Sequence, residues 1–246
     1  MTAQFSPQDA ERSGRWGADG YVALPELLDP ADVAELASWL HALFGRYDDL
    51  PEDQTHTLVR ADGRAGSLEI RLTTELDPRI AASPVFAACR DVASHLLGRP
   101  AKFFFDHAIR KPAEVGAGTA WHQDRAYNLD EPQRERVHFW IPMHDVDLDG
   151  GCMQFIPSST AWGLLPHHPI EADPARHTLE AEGDYDPDAV AVPLRLGDVS
   201  AHHPLVLHKT GPNISKVERT ALILQFVRPR TFREHLAAHL RRPHAG

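Results

Sequence analysis

Lys102-Phe103-Phe104-Phe105-Asp106-His107-Ala108-Ile109-Arg110 is the stretch on which the fold class turns. It is aromatic and apolar and has no helical period, so from Phe103 onward it reads as a strand. Downstream, Arg136–Met143, Gly151–Ile156, Val190–Leu194, Asp198–Ala201, Val206–His208 and Thr220–Val227 read the same way. Turn signals separate them at Gly116-Ala117-Gly118, Asp149-Gly150-Gly151, Leu196-Gly197-Asp198 and Gly211-Pro212-Asn213. Several short strands joined by polar turns predict a double-sheet jelly roll, the double-stranded β-helix of cupin-like proteins.

Upstream of that stretch the pattern is mixed. Gly20–Pro25 is a short apolar strand ended by proline. Asp29 is placed to cap a helix with Pro30 in its first turn, and Val33, Leu36, Ala37, Leu40 and Leu43 give it one apolar face. A second helix is expected from about Pro84 to Leu97, stopped by Gly98-Arg99-Pro100. The expectation is a mainly β protein with flanking α-helices, one domain over residues 1–246, its helical part about 1–100 and its jelly-roll core about 101–230. His167–Asp188 is polar, carries prolines and reads as a long loop shaping a binding pocket. Thr231–Arg242 reads as a short helix.

Composition narrows the functional classes. A formal net charge of −10 disfavours phosphate backbones and anionic lipid, so neither a nucleic-acid nor a membrane partner is expected. No apolar run approaches the roughly 18 residues that cross a bilayer. Met1–Ala10 is polar and lacks the apolar segment of a secretory signal. Two cysteines, Cys89 and Cys152, are too few for a disulfide framework and read as buried free thiols in a reducing cytoplasm.

The chemistry-bearing residues sit in two blocks. Trp121-His122-Gln123-Asp124 holds a His-x-Asp pair. On a strand or at its exit, residues two apart face one side, so an imidazole and a carboxylate can reach one ion. With 16 histidines in the chain such a pair arises by chance about once, and the second block is what gives it weight. That block runs His208-Lys209-Thr210-Gly211-Pro212-Asn213-Ile214-Ser215-Lys216-Val217-Glu218-Arg219. It reads as a strand ending at His208, a turn, and a strand opening at Arg219. His122, Asp124 and His208 would form a facial triad, which leaves three positions on an iron(II) ion open. If the two strands pair, Arg219 lies beside the metal, where its guanidinium can grip a carboxylate with two parallel hydrogen bonds.

These blocks resemble the phytanoyl-CoA dioxygenase family of iron(II)- and 2-oxoglutarate-dependent oxygenases. The resemblance starts at the Gly20–Leu40 strand and helix and takes in the strand bearing Trp140, Gly150-Gly151-Cys152-Met153-Gln154-Phe155-Ile156-Pro157-Ser158-Ser159-Thr160, and Gly197-Asp198. It implies iron ligands at His122, Asp124 and His208, with 2-oxoglutarate and dioxygen as co-substrates and a small organic molecule as substrate. It implies that Arg219 anchors the distal carboxylate of 2-oxoglutarate. Thr210 stands where the family often has a serine near the co-substrate, and Trp140 matches a tryptophan lining that pocket. His107 matches a position on the co-substrate side, and Arg71 matches a basic residue over the pocket. Asp124 also separates the chain from related halogenases, which lack this carboxylate, and so favours hydroxylation. Lys209 departs from the small residue usual after the distal histidine.

Two further readings stay open at this level: a metal-dependent hydrolase or isomerase, and a non-enzymatic barrel that binds a ligand or has lost activity. A zinc or manganese hydrolase or isomerase on a cupin-like barrel would use the same three ligands but has no need for Arg219. The other histidines carry bland expectations. His167-His168 and His202-His203 are adjacent pairs pointing to opposite faces of a strand, so neither pair chelates. His138 and His144 flank Trp140 as core or rim residues. The arginine-heavy, lysine-poor composition, with four lysines, suggests a GC-rich bacterial source, where such enzymes often tailor natural products.

Overall fold

A computed structural model of the chain describes residues 14–59, 65–114, 118–129, 134–170 and 179–231. Met1–Ala10 and nearly all of the helix expected over Thr231–Arg242 lie outside the described residues. In chain order the strands are β1 (Tyr21–Leu24), β2 (Thr55–Val59), β3 (Ala65–Arg71), β4 (Lys102–Lys111), β5 (Thr119–His122), β6 (Arg136–Pro142), β7 (Met153–Phe155), β8 (His167–Pro169), β9 (Leu179–Ala181), β10 (Val190–Val192), β11 (Val199–His202), β12 (His208–Thr210) and β13 (Arg219–Val227). The helices that pack on them are α1 (Pro30–Gly45), the short α2 (Thr73–Leu76) and α3 (Arg79–Ala82), and α4 (Pro84–Leu96).

The strands form two facing sheets. The larger has the order β1-β11-β6-β13-β4-β3-β2 and the smaller β10-β7-β12-β5, with antiparallel pairing throughout. This is the jelly roll that the strand series predicts. Strand β13 shows how the layers are built. Leu222, Leu224 and Phe226 face the helices and join Leu36, Leu40, Phe86 and Cys89 in one core. Ala221 and Ile223 point the other way and pack with Trp140, Met153 and Phe155 between the sheets. Alternate residues of one strand thus serve two cores, the pattern expected of a central strand covered on both faces.

The helices begin where the sequence places them. The Asp29 side chain accepts from the Ala31 amide at 2.8 Å with Pro30 in the first turn, and Ser83 Oγ accepts from the Phe86 amide at 3.1 Å. Both are caps that satisfy amides the helix leaves unpaired.

Four expectations are corrected. The helical N-terminal part also carries strands beyond the expected β1: β2 and β3 join it in the larger sheet. Strand β3 escaped notice because its inward-facing positions, Glu69 and Arg71, are polar. His208 opens a strand rather than ending one, because Leu207 is held apart by Ser159 Oγ and pairs with Ile156 through its carbonyl. The strands bearing His208 and Arg219 do not pair; β12 lies in the smaller sheet and β13 in the larger. The corner between them is set by buried Asn213, whose amide donates to the carbonyls of Val217 (2.8 Å) and Pro112 (3.1 Å) and whose oxygen accepts from Ser215. Finally, His167–Asp188 is not all loop: β8 and β9 form a two-stranded ladder that covers Trp121, Ile156 and Leu207 on the outer face of the smaller sheet. Cys89 and Cys152 are buried and unpaired, as expected.

Candidate active site

The cavity between the sheets holds most of the residues singled out from sequence. About 70 Å³ in volume, it is lined by His107, Thr119, His122, Asp124, Trp140, His208, Thr210 and Arg219 together with Ile109, Met153, His202 and Ile223. His122 ends β5 and is the register partner of His208 on β12, so the smaller sheet brings the two imidazoles together. Their ring centroids are 4.2 Å apart. Asp124 lies just past the end of β5 and points back at both. Its Oδ1 is 3.5 Å from His122 Nε2 and 3.6 Å from His208 Nε2.

Each of these three groups has its other end occupied. His122 Nδ1 donates to the Ala120 carbonyl at 2.8 Å and His208 Nδ1 donates to the Val206 carbonyl at 3.0 Å. Those bonds fix the tautomer and leave Nε2 as a lone-pair donor on both rings. Burial, with the neighbouring His122, holds His208 well below the ordinary histidine range against the pull of Asp124, so the ring is neutral. Burial opposes ionisation of Asp124, but the imidazoles crowded around it (His208, His138 and His122) outweigh that and hold it well below the usual carboxylate range. Two neutral imidazoles and a carboxylate, their donor atoms within 4.8 Å of one another, make the set that a non-haem iron(II) ion takes. The residues fit the ion.

Two histidines with no expected role here, His138 as a core or rim residue and His202 as half of a non-chelating pair, also serve this site. His138 on β6 and His202 on β11 are register partners, and both reach the oxygen of Asp124 that faces away from the triad. His138 Nδ1 lies 2.6 Å and His202 Nε2 3.0 Å from Asp124 Oδ2. Neither role shows in the residues next to each histidine in sequence, because the site forms only when β6 and β11 pair. His202 reaches the site without its neighbour His203. A polar residue two before inward-facing Trp140 was the available signal for His138.

The other end of the cavity is cationic. Arg219 is 1% exposed, its guanidinium carbon is 5.3 Å from the Trp140 ring centroid, and its Nε and Nη2 have no hydrogen-bond partner among the described residues. Burial lowers it to about 10. Buried guanidinium donors left unsatisfied at a cavity wall are the feature expected of an anion receptor. Thr210 and Thr119 line the same end, their hydroxyls 3.1 Å apart. His107 lines the cavity and pairs through Nδ1 with Glu69 Oε1 at 2.7 Å. Arg71 does not line it; Arg71 is the register partner of His107, and its Nε is 3.5 Å from the same Glu69 oxygen. Lys209 points away, forming an ion pair with Asp186 and lying over Trp121 on the outer face.

Residues 16–221 match the sequence pattern of "Phytanoyl-CoA dioxygenase (PhyH)". The chain belongs to the phytanoyl-CoA dioxygenase family. Members share a non-haem iron centre and use 2-oxoglutarate and dioxygen as co-substrates, and the chain is an oxygenase of this kind acting on a small molecule. A hydrolase or isomerase built on the same ligands is set aside by that membership. Among relatives, the L-proline trans-4-hydroxylase of Streptomyces griseoviridis is 27% identical over 87% of this chain and 84% of its own length. The peroxisomal phytanoyl-CoA dioxygenase of Mus musculus is 32% identical over 48% of this chain, which spans only 37% of that enzyme. Among solved structures, EvdO2 from Micromonospora carbonacea var. aurantiaca, complexed with 2-oxoglutarate, superposes with a TM-score of 0.77 at 27% identity, covering 89% of this chain and 90% of its own. No described helix is long and apolar enough to cross a membrane.

Proposed function

We propose that His122, Asp124 and His208 hold the iron, that Arg219 with Thr210 and Thr119 receives the distal carboxylate of 2-oxoglutarate, and that the enzyme hydroxylates a small polar molecule. The observation that carries this reading is the convergence of His122 Nε2, Asp124 Oδ1 and His208 Nε2 at one end of a cavity whose other end presents the unsatisfied Arg219 guanidinium. Bound iron(II), 2-oxoglutarate and dioxygen together supply the oxidant for inserting oxygen into a C–H bond, the co-substrate leaving as succinate and carbon dioxide.

The protein's own contribution is placement. Ala120 and Val206 carbonyls aim the two imidazoles, and His138 and His202 aim the carboxylate. Arg219 orients a dicarboxylate so that its keto-acid end lies toward the triad. Trp140, Ile109, Met153 and Ile223 give the cavity apolar walls that keep water from the reacting centre. Support for a small polar substrate comes from two relatives with broad coverage, the proline hydroxylase and a methylphosphonate hydroxylase of Gimesia maris, 26% identical over 86% of this chain. The coenzyme A thioester of the shorter-matching relatives is not adopted. In this scheme the chain works as one catalytic domain in the cytoplasm, in keeping with its two unpaired buried cysteines.

The test is succinate formation from 2-oxoglutarate with iron(II), ascorbate and air, screened against free amino acids, imino acids and small phosphonates. One of these classes is expected to stimulate succinate release and to gain one oxygen atom by mass spectrometry. Silence across all three, with iron and 2-oxoglutarate shown to be bound, would refute the substrate class.

A further inference from the structure

Lys111 is the last residue of β4 and the register partner of Arg219 on β13. It is 1% exposed, one of the largest fully buried side chains in the protein, and so is Arg219. Among the described residues neither cation has a carboxylate within ion-pair distance. The Lys111 ammonium instead donates to Thr210 Oγ1 at 2.8 Å, to the Gly211 carbonyl at 3.2 Å and to Thr119 Oγ1 at 3.4 Å. Two buried positive side chains side by side without a counter-charge are costly to a fold, and burial together with Arg219 pushes Lys111 well below the ordinary lysine range. An anion that enters this end of the cavity relieves both costs.

The hydrogen-bond directions show how Lys111 reaches such an anion without lining the cavity. An ammonium only donates, so Thr210 Oγ1 accepts from Lys111 and its own proton goes to Thr119 Oγ1, 3.1 Å away. Thr119 Oγ1 then accepts from both neighbours, and its remaining proton is free to point into the cavity that it lines. The lysine thereby turns a pair of ambivalent hydroxyls into a donor chain ending at the anion.

We propose that Lys111 is a second cationic anchor for the distal carboxylate of the co-substrate, acting through Thr210 and Thr119, and that it sets the preference for a dicarboxylate over a monocarboxylate 2-oxo acid. This rests on the placement of the co-substrate against Arg219. Lys111 is a positioning residue in this scheme, since it touches the threonines rather than the ligand.

The experiment is anaerobic titration calorimetry of the manganese(II)-loaded full chain with 2-oxoglutarate and with 2-oxopentanoate, which has the same five-carbon backbone but no distal carboxylate. Lys111→Met keeps the apolar stem and removes the charge. It is expected to weaken 2-oxoglutarate binding about 10- to 100-fold, the loss of one charge-assisted contact, while leaving 2-oxopentanoate within about twofold. The ligand-free Lys111→Met protein is expected to melt no lower than wild type, because an uncompensated buried charge has gone. Equal weakening of both acids would mean a merely structural lysine and overturns the proposal, as does unchanged 2-oxoglutarate binding. Arg219→Met separates the two levels. If it abolishes the dicarboxylate preference while Lys111→Met does not alter it, the pocket assignment stands and the lysine proposal falls; if neither variant alters it, both fall.

Discussion

Replacing His138 by Leu removes one of two imidazoles that hold Asp124 Oδ2, and its consequence can be worked from the geometry. The 2.6 Å contact from His138 Nδ1 is the shorter of the two, and His138 is 1% exposed, so water cannot step in. A hydrogen bond to an ionised group is worth about 1.5–3 kcal/mol, and partners of metal ligands typically contribute about 10- to 100-fold in metal affinity. With His202 still in place at 3.0 Å, the carboxylate keeps one donor and a looser aim. We expect the manganese(II) or iron(II) dissociation constant to rise about 10- to 30-fold, measured anaerobically by competition with a chromophoric chelator. The double variant with His202→Phe should lose more than either single change, because the second imidazole no longer compensates. A folded His138→Leu protein that binds metal as tightly as wild type would refute the reasoning, since it would show that the His138 contact does not aim the Asp124 carboxylate.

Other outcomes follow from the same structure. Arg219→Met should weaken 2-oxoglutarate by roughly 10²- to 10³-fold, the scale of a truncated buried charge pair, and leave metal affinity unchanged in the chelator assay. Glu69 should make the fold acid-sensitive. Burial opposes its ionisation, but the hydrogen bond and charge of His107, with Arg71 and His56, lower it from 4.5 to about 2. Its folded value is thus depressed, so its contribution is complete above pH 4.5 and fades as pH falls toward 2. Glu69→Gln should flatten the denaturant midpoint across that window. Gly151→Ala should destabilise by about 2 kcal/mol or more, because the residue sits at φ +74° and an added Cβ would lie 2.5 Å from the Gly211 carbonyl oxygen; the check is a fall in the melting temperature.

Much of this architecture is legible in the chain because apolar strands such as Thr220–Val227 and Arg136–Pro142 carry the β signal on the faces they turn to the helices. The triad is legible for a different reason. His122 and Asp124 are neighbours in sequence, and the Gly-Pro-Asn corner after His208 has a recognisable pattern. What escapes are polar residues on strands whose inner face is the cavity wall: Glu69, Lys111, His138 and His202. On a strand such residues look like a solvent face, and only the second sheet turns that face inward. Arg219 illustrates the same limit. Its partnership with the iron end was expected from strand pairing, whereas it arises across the barrel, from strands in opposite sheets brought together at the Asn213 corner.

The most direct test is anomalous diffraction from crystals grown anaerobically with iron(II) and 2-oxoglutarate. One iron peak bonded to His122 Nε2, Asp124 Oδ1 and His208 Nε2, with the far carboxylate of 2-oxoglutarate on Arg219, is the predicted result. An iron peak that omits His208, or a co-substrate whose far carboxylate lies away from Arg219, would contradict it.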